Sequence, residues 1–399
     1  MIKITEKTLK DLEFQTVLSQ LSELCTTEKG QEYSLKITPI PEEEVLIKEL
    51  EKVNEYKSSY FQDVRIPNHG YDVVDKELKL LKIENTFLEA LSLKKIVSLN
   101  LTTNHLLHFF SKKRELYPQL AESAFEITFT QDIIQLIEAV IDRFGEVKNS
   151  ASPTLKNIRK QITFVQSQLN GSFGRDLSRY AASGYLDEIR ESIVDNRRVL
   201  AVKAMHRRKV KGAVMGSSKT GSIVYIEPEA TRTYNNELSN LLYEEREEVI
   251  KILKQLTNHL RPYAEIIDTF QEYLSAMDII SAKTKYAEET NAILPKIVEE
   301  RELFLKDAYH PLLYLNNLKK NETTHPQTIK LDNDNRIIVI SGPNAGGKSI
   351  TLKTIGLLQL MLQSAMLIPV HEYSRMCLFH TILTDIGCLL YTSPSPRDA

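Results

Sequence analysis

Residues 337–351 read IIVISGPNAGGKSIT, and the glycines, lysine and serine of this segment have the spacing of a phosphate-binding loop. Gly342, Gly347, Lys348 and Ser349 fit the pattern G-x-x-x-x-G-K-[ST]. In such a loop, backbone N–H groups point at the α- and β-phosphates of a nucleotide, the lysine reaches the β- and γ-phosphates, and the hydroxyl holds Mg²⁺. The pattern therefore predicts a site for a nucleoside triphosphate and Mg²⁺.

Two neighbouring elements must hold this loop in place. The β-branched run Ile337–Ile340 predicts a buried strand that leads into the loop, and Thr351–Ala365 predicts a helix that leads out of it. In that arrangement the helix N-terminus adds partial positive charge towards the phosphates. A chance match in a glycine-rich turn is the alternative, and the flanking elements argue against it. The predicted nucleotide-binding residues are Gly342, Pro343, Asn344, Ala345, Gly346, Gly347, Lys348 and Ser349, with Ser349 as the Mg²⁺ ligand.

A second segment that could bind phosphate is a group of cations in the middle of the chain. Between Ala151 and Thr220 there are 14 Lys and Arg against 5 Asp and Glu, whereas the net charge of the whole chain is −2. Such a cluster is typical of a surface that contacts a nucleic-acid backbone without reading bases. A solvated basic face without a partner is the alternative. The candidate residues, called the basic tip below, are Arg197, Lys203, Arg207, Arg208, Lys209 and Lys211.

Two long helical patterns flank the basic tip. One covers Thr154–Leu169 and the other about Glu229–Thr290, and both place apolar residues at helix-seam spacing. Between them, short β-type runs in residues 193–226 are separated by turn residues such as Asp195–Asn196. This order predicts two antiparallel helical arms with a small β element at their end.

The chain of 399 residues is long enough for two or three domains, with 42% hydrophobic and 26% charged residues. Its 14 Gly and 14 Pro are few for this length, which favours a mostly helical protein. Cys25, Cys377 and Cys388 show neither a pairing pattern nor metal-ligand spacing, which indicates a reducing cytosol. Polar residues interrupt the longest apolar run, Ile355–Val370, and no signal segment opens the chain. We therefore expect a cytoplasmic protein that does not span a membrane.

The first 150 residues predict helices without visible chemistry. An amphipathic helix is expected from Thr8 to about Leu35, and a second over Glu42–Tyr60. After Pro295 the pattern becomes α/β. His310, in the segment YHPLL, is either a structural residue or one that contacts the base or braces the nucleotide loop.

Several of these segments together resemble the MutS family of ATPases. SGPNAGGKSITLKTIGLLQLM is similar to the family's nucleotide loop and the helix after it, and GSIVYIEPEATRTYNNEL to the exit from its clamp. NRRVLAVKAMHRRKVKGAVMGSSKTG resembles the clamp itself, LKDLEFQTVLSQLSELCTTEKGQE the first lever helix, and YHPLL the opening of the ATPase domain. The resemblance covers residues 1–387. It points to a second bacterial paralogue, which is linked to suppression of recombination and to rescue of collided ribosomes.

The resemblance implies a mainly α chain with α/β parts. It implies a helical lever domain (1–150), coiled-coil arms (151–290) with a β-rich basic clamp at about 192–228, and the N-terminal part of an ABC-type P-loop ATPase domain (291–387). It further implies ATP and Mg²⁺ as cofactors, branched DNA or ribosomal RNA as partner, and a homodimer with ATPase and endonuclease activity in the full-length protein. A non-enzymatic, nucleotide-gated module that binds ribosomes or DNA is the alternative.

The chain departs from the family pattern at both ends. It begins at the lever, whereas the classical relatives carry a mismatch-reading domain ahead of the lever; binding of mismatched DNA stays among the activities that the resemblance implies. After Thr384 the acidic Walker-B stretch and the nuclease domain do not follow, so the catalytic residues are unknown and we expect no ATP hydrolysis by this chain alone. Residues 388–399, CLLYTSPSPRDA, resemble a translated sequencing adapter, and we interpret them as a non-native tail. A natural C-terminus rich in Ser and Pro is the alternative.

Overall fold

The computed structural model describes residues 2–62, 65–341 and 347–386. The chain divides into two compact units. The first unit comprises Met1–Asp75, Lys95–Gln131 and Glu265–Ala399, and the second comprises Lys76–Lys94 and Asp132–Ala264. Most described residues are helical, and both units contain small sheets, which confirms the prediction of a mainly α chain with α/β content. Within the described ranges, no helix combines the length and the apolar character that a membrane span requires.

The helices in chain order are α1 (Glu6–Asp11), α2 (Phe14–Leu24), α3 (Glu28–Ser34), α4 (Glu43–Ser58), α5 (Asp75–Leu81), α6 (Ala90–Lys112), α7 (Pro118–Phe125), α8 (Asp132–Val140), α9 (Pro153–Ala182), α10 (Glu229–Leu260), α11 (Ala264–Glu289), α12 (Pro311–Lys320) and α13 (Lys348–Gln363). The strands are β1 (Lys3–Ile4), β2 (Leu186–Val194), β3 (Arg197–Lys203), β4 (Gly212–Ser217), β5 (Ile223–Pro228), β6 (Lys296–Ile297), β7 (Leu303–Ala308), β8 (Gln327–Leu331), β9 (Arg375–Met376) and β10 (Thr381–Ile382). Single 3₁₀ turns occur at Ser59–Phe61, Asn149–Ala151, Ala204–Lys209 and Arg261–Tyr263.

The N-terminal region of the first unit contains three short helices, so the prediction of one helix from Thr8 to about Leu35 is wrong. Glu13 adopts a left-handed conformation with φ 57° between α1 and α2, and α2 ends at Cys25, whose backbone is extended. The Thr27 hydroxyl then caps α3 by accepting a hydrogen bond from the Gly30 N–H at 3.0 Å. Threonine favours such caps because its hydroxyl competes with the helical backbone bonds, and this capping starts a new helix.

Helix α11 passes through the core of the first unit. Its Phe270 and Leu274 are fully buried. The buried carboxylate of Asp278 accepts hydrogen bonds of 2.6–3.1 Å from the backbone N–H and the hydroxyl groups of Thr26 and Thr27. These donors compensate for burying the carboxylate, and they attach α11 to the break between α2 and α3.

The helix predicted over Thr351–Ala365 is confirmed as α13, and the one predicted over Glu42–Tyr60 as α4 with the 3₁₀ turn that follows it. One side of α13 lies very close to the N-terminal helices. A Cβ atom on Gly356 would lie 2.7 Å from Cδ2 of Leu12, which is too close for any other residue without a shift. Glycine is therefore favoured at this position, because a larger residue would displace the Leu12 side chain.

The buried strand predicted over Ile337–Ile340 is not formed, and this prediction is wrong. The run carries no strand hydrogen-bonding pattern, and Ile337 and Val339 are 83% and 85% exposed. A β-branched run becomes a buried strand only where neighbouring backbones complete its hydrogen bonds and other elements cover its faces. The preceding strand, β8, pairs with β7, and none of the described strands pairs with the run itself.

The first unit contains a four-stranded sheet of order β6-β9-β7-β8, in which β6 and β9 are parallel and β7 is antiparallel to both its neighbours. A two-stranded parallel ladder joins β1 to β10. Apart from β7 and β8, which follow one another along the chain, the paired strands come from distant parts of the sequence. The sheets of this unit therefore depend on long-range pairing rather than on local hairpins.

The sheet of the second unit has the order β2-β3-β5-β4, and all its pairs are antiparallel. The predicted β element is thereby confirmed. Asp195 and Asn196 join β2 to β3 with φ values of 49° and 63°, as a two-residue hairpin turn requires. Leu200 and Val202 of β3 are buried against Phe173 of α9. The sheet therefore rests on the C-terminal half of that helix.

Helices α9 and α10 pack as an antiparallel pair. The Ser152 hydroxyl, at the start of α9, donates a hydrogen bond to Glu248 at 2.8 Å, whereas the Ser172 hydroxyl, further along α9, donates one to the Ala230 carbonyl at 3.4 Å. The chain therefore reverses its direction at the sheet. The buried seam between the two helices consists of Ile158, Ile162, Val165 and Leu241.

Candidate functional site

The described end of the predicted phosphate-binding loop leads directly into α13. Gly347 occupies the position before the helix with φ 82°, a conformation that favours glycine, and Lys348 is the first helical residue. The first backbone hydrogen bond of the helix runs from the Thr351 N–H to the Gly347 carbonyl at 3.0 Å. The N–H groups of the first turn therefore have no partner within the helix and point out of its N-terminus, where an anion can accept their hydrogen bonds.

Two predicted side chains stand at this helix N-terminus. Lys348 is half-buried and Ser349 is exposed. Lys353, about one turn further along α13, forms an ion pair of 2.8 Å with Glu13. An ammonium, a hydroxyl and the N-terminal end of a 16-residue helix together fit a nucleotide phosphate with its Mg²⁺. The other predicted nucleotide-binding residues, Gly342, Pro343, Asn344, Ala345 and Gly346, lie outside the described residues.

His310 caps a helix. Its side chain is buried, and its Nδ1 accepts a hydrogen bond from the Leu313 N–H at 3.4 Å at the start of α12. Burial lowers the pKa of this imidazole to about 4, an effect that Glu13 opposes and Lys353 reinforces. Because Nδ1 is an acceptor, the proton of the neutral ring resides on Nε2. Of the two sequence-based interpretations, the structural one accounts for this geometry.

Arg197 of the basic tip is engaged within the second unit. Its Nη1 lies 3.1 Å from both carboxylate oxygens of Glu227, which is only 1% exposed, and its Nη2 lies 3.3 Å from Oδ1 of Asn236. Asn235 donates a further hydrogen bond of 2.6 Å to the same carboxylate. The guanidinium therefore neutralises a buried anion and joins β3 to the start of α10.

The other five residues of the basic tip are exposed. In the part of the chain that the structure describes, none of them lies within ion-pair distance of a carboxylate. Unpaired cations keep their full charge for an external anion. They are Lys203, Arg207, Arg208, Lys209 and Lys211.

Three of these cations belong to the 3₁₀ turn Ala204–Lys209, which is anchored to the sheet. The Ala204 N–H donates to the Ser222 carbonyl at 2.9 Å. The His206 ring packs against Tyr185 in a tilted arrangement with centroids 4.9 Å apart, and the Lys209 ammonium lies 5.6 Å from the centre of the same tyrosine ring. The turn therefore presents its charges from a fixed backbone.

Sequence reasoning missed Glu227, the residue that holds Arg197. The only signal was the two glutamates, Glu227 and Glu229, at the end of the β-type run GSIVYIEPEA. Strand pairing decides its partner, since β3 and β5 are neighbours in the sheet. A pairing of this kind cannot be read from charge counts along the chain.

Comparison with known proteins finds relatives over nearly the whole chain. The chain matches no model of a known protein family. Endonuclease MutS2 of Finegoldia magna is 32% identical to it over 389 residues, which are 96% of this chain and 48% of the relative. Endonuclease MutS2 of Lactiplantibacillus plantarum and of Bacillus velezensis are each 31% identical over 389 and 385 residues, with the same coverage of both chains. The chain spans about half the length of the curated relatives it matches, and over that span it is a homologue of these proteins named endonuclease MutS2.

Proposed function

We propose that this chain is part of an ATP-dependent nucleic-acid clamp of the MutS type. The observation that carries the proposal is that two features suited to phosphate occur together in one chain, and that the relatives of this chain are named endonuclease MutS2. A helix N-terminus with a loop pattern suited to nucleotide phosphates lies in the first unit, and five exposed, unpaired cations lie on the sheet of the second. Each feature alone has an ordinary structural explanation, whereas a nucleotide-controlled clamp requires both.

In this proposal, ATP binds with Mg²⁺ to the loop of residues 342–349. Gly347 and the first-turn amides of α13 would hold the phosphates, Lys348 would reach the β- and γ-phosphates, and Ser349 would hold the ion. The positive φ at Gly347 and the absence of a Cβ there suit the close approach of a phosphate to the backbone. The ion, when bound, neutralises charge on the phosphate oxygens.

The second half of the proposal assigns the basic tip to a nucleic-acid backbone. Lys203, Arg207, Arg208, Lys209 and Lys211 would contact phosphates, so their contribution should be insensitive to sequence and sensitive to salt. Arg197, which was predicted among them, would act indirectly through its ion pair with Glu227, by holding the strand that leads into the turn. The partner is branched DNA or ribosomal RNA.

The domain boundaries expected from the sequence belong to the same proposal. Residues 1–150 would form the lever domain, 151–290 the arms with the clamp at about 192–228, and 291–387 the first part of an ATPase domain.

Nucleotide would control the clamp by shifting the protein between two conformations. A bound γ-phosphate can change the affinity of the clamp for nucleic acid only if the nucleotide binds these two conformations with different affinity. The relatives are named endonucleases. We assign nuclease and ATPase activity to a cytoplasmic, homodimeric full-length protein that suppresses recombination or splits collided ribosomes.

The proposal is tested by measuring binding of the 399-residue chain to Mg·ATP, to a four-way DNA junction and to ribosomal particles over a series of salt concentrations. We expect binding to Mg·ATP, and binding to one of the two nucleic-acid partners that falls steeply with salt. Binding to neither partner at low salt would contradict the clamp. ATP binding and release without turnover, in the full-length protein, would favour the non-enzymatic, nucleotide-gated module instead.

A further inference from the structure

The C-terminal end of α13 is fixed by hydrogen bonds to several separate segments of the first unit. The Ile40 N–H donates to the Gln363 carbonyl at 2.8 Å. The buried side chain of Gln363 accepts from the Phe379 N–H at 3.1 Å and donates to the Phe379 carbonyl at 2.9 Å. The amide of Gln359, also buried, donates to the Cys377 carbonyl at 3.0 Å. One end of α13 is therefore tightly held, while its other end leads into the phosphate-binding loop.

Helix α11 holds this same end of α13 through a buried lysine. The Lys283 ammonium donates a hydrogen bond of 2.9 Å to the carbonyl of Ser364, the residue that follows α13. A cation at this position complements the negative end of the helix dipole. The next residue, Ala365, has φ 55°, a left-handed conformation that an alanine adopts only under constraint. The lysine therefore ties down a helix end whose backbone is already strained.

Burying this lysine is unfavourable, which makes its position informative. Lys283 is only 8% exposed, and burial lowers the pKa of its ammonium to about 8, an effect that Glu49 opposes. The carboxylate of Glu49 is itself paired with Lys52. An apolar side chain of similar length would fill the same space without the desolvation penalty of an ammonium group. What the lysine adds over such a side chain is its bond to the Ser364 carbonyl at the end of α13.

The helix that carries Lys283 is also bonded to the N-terminal helices. Asp278 receives the hydrogen bonds of Thr26 and Thr27 described above. Lys285, two residues after Lys283, donates a bond of 2.9 Å to the Leu24 carbonyl at the end of α2. A displacement of the end of α13 would therefore reach α11 through Lys283, and from α11 it would reach α2 and α3.

We propose that Lys283 is a positioning residue that couples α13 to α11, so that nucleotide binding at the N-terminal end of α13 alters α11. The inference rests on the proposed function, because it takes residues 342–349 to be a nucleotide site. Lys283 does not touch the nucleotide in this account. It joins the far end of the phosphate-loop helix to the central helix of the unit.

The test is hydrogen exchange of the full chain with and without Mg·ATP, in the wild type and in Lys283→Met and Lys285→Met. In the wild type, Mg·ATP should slow exchange both in the first turns of α13 and in α11. In Lys283→Met, the protection of α13 should persist while that of α11 falls about fivefold or more. Lys285→Met is the matched control, since it removes a lysine–carbonyl bond from the same helix but not the bond to α13. It should respond as the wild type does.

The possible results separate this inference from the proposed function. If Mg·ATP protects α13 in the wild type but leaves α11 unchanged, the inference is wrong and the nucleotide site stands. An α11 response that survives in Lys283→Met equally overturns it. Should Lys283→Met fail to fold, Lys283→Gln, which keeps a polar group but has a shorter side chain and no charge, takes its place with the same expectation. If Mg·ATP protects no part of the wild-type chain, the proposed function itself fails, and the inference fails with it.

Discussion

The two regions suited to phosphate use different physical means. At the start of α13, the backbone amides and the helix dipole provide most of the positive potential, and only Lys348 adds a full charge. In the 3₁₀ turn Ala204–Lys209, the potential comes from long, exposed side chains on a fixed backbone. Under the proposed function, the first region would hold one anion in one geometry, and the second a row of anions whose positions vary.

This difference predicts how each region responds to salt and to substitution. Exposed side-chain charges are screened within about 8 Å at physiological ionic strength, so the basic tip should lose affinity as salt rises. Amides that bind an anion directly are screened much less. A substitution at the first turn of α13 should therefore change nucleotide affinity at every salt concentration, whereas one in the basic tip should change the dependence on salt.

The largest expected effect is that of Lys348→Ala on Mg·ATP binding. We expect affinity to fall on the order of 100-fold or more, because the variant loses a charge-assisted contact to the phosphates. Isothermal titration calorimetry measures it, and the circular dichroism spectrum should be unchanged. Lys353→Ala, about one turn further along the same helix, is the control and should bind Mg·ATP normally. Unchanged affinity in Lys348→Ala would refute the assignment of the loop.

The next effect is on the free energy of unfolding, and it shows that Arg197 has a structural role that the exposed cations of the basic tip lack. Arg197→Ala leaves the Glu227 carboxylate, which is 1% exposed, without its guanidinium partner, and should lower the free energy of unfolding by about 3 kcal/mol. Arg198→Ala is the matched control, since its partner Glu191 is partly exposed, and it should cost about 1 kcal/mol or less. Urea denaturation followed by circular dichroism measures both. Equal losses would show that Glu227 does not need Arg197.

Acid should destabilise the unit that contains the nucleotide loop. The pKa of buried His310 is lowered to about 4 from an ordinary value of 6.5, so between these values the unfolded chain binds more protons than the folded chain. Stability is then lost as the pH falls through this range, by about 3 kcal/mol from this group. His310→Asn retains a residue that favours helix caps and should flatten the stability curve between pH 6.5 and 4. An unchanged curve would show that His310 is solvated.

How far the sequence predicts these regions depends on whether the deciding contacts are local. Asp195–Asn196 and the β-type runs around it predict a hairpin correctly, because the turn residues and their strands are neighbours in the chain. The run Ile337–Ile340 has equally strong β character, but a strand there needs partners from distant segments, and local pattern cannot supply them. The pairing of Arg197 with Glu227 escapes prediction for the same reason.

A smaller effect is expected on nucleic-acid binding, and it distinguishes the contribution of the exposed cations of the turn from that of the net charge of the chain. Arg207→Ala combined with Arg208→Ala should lower affinity for the nucleic-acid partner about tenfold, and reduce the slope of log affinity against log salt by about 2. Fluorescence anisotropy at four or more salt concentrations measures both quantities. Arg246→Ala with Lys251→Ala removes the same charge from α10 and serves as the control. An equal change of slope in the control would show that net charge, and not the turn, governs binding.

Gly347→Ala should have the smallest effect and tests the geometry of the loop most directly. Gly347 has φ 82°, and an added Cβ would lie 3.4 Å from Cγ2 of Ile350, which is acceptable packing. The penalty is therefore conformational, about 1 kcal/mol for alanine in the left-handed region, and it should appear as an approximately fivefold weaker affinity for Mg·ATP. Gly171→Ala is the control, because that glycine lies within helix α9 with open space around it, and alanine there should stabilise the chain slightly. Since the strain acts on the backbone that would hold the phosphates, the loss in Gly347→Ala should be the same at low and high salt. A loss that disappeared at high salt would mean that the α13 region attracts nucleotides by long-range charge, as the basic tip would attract its partner. The two regions would then not differ in how they bind phosphate.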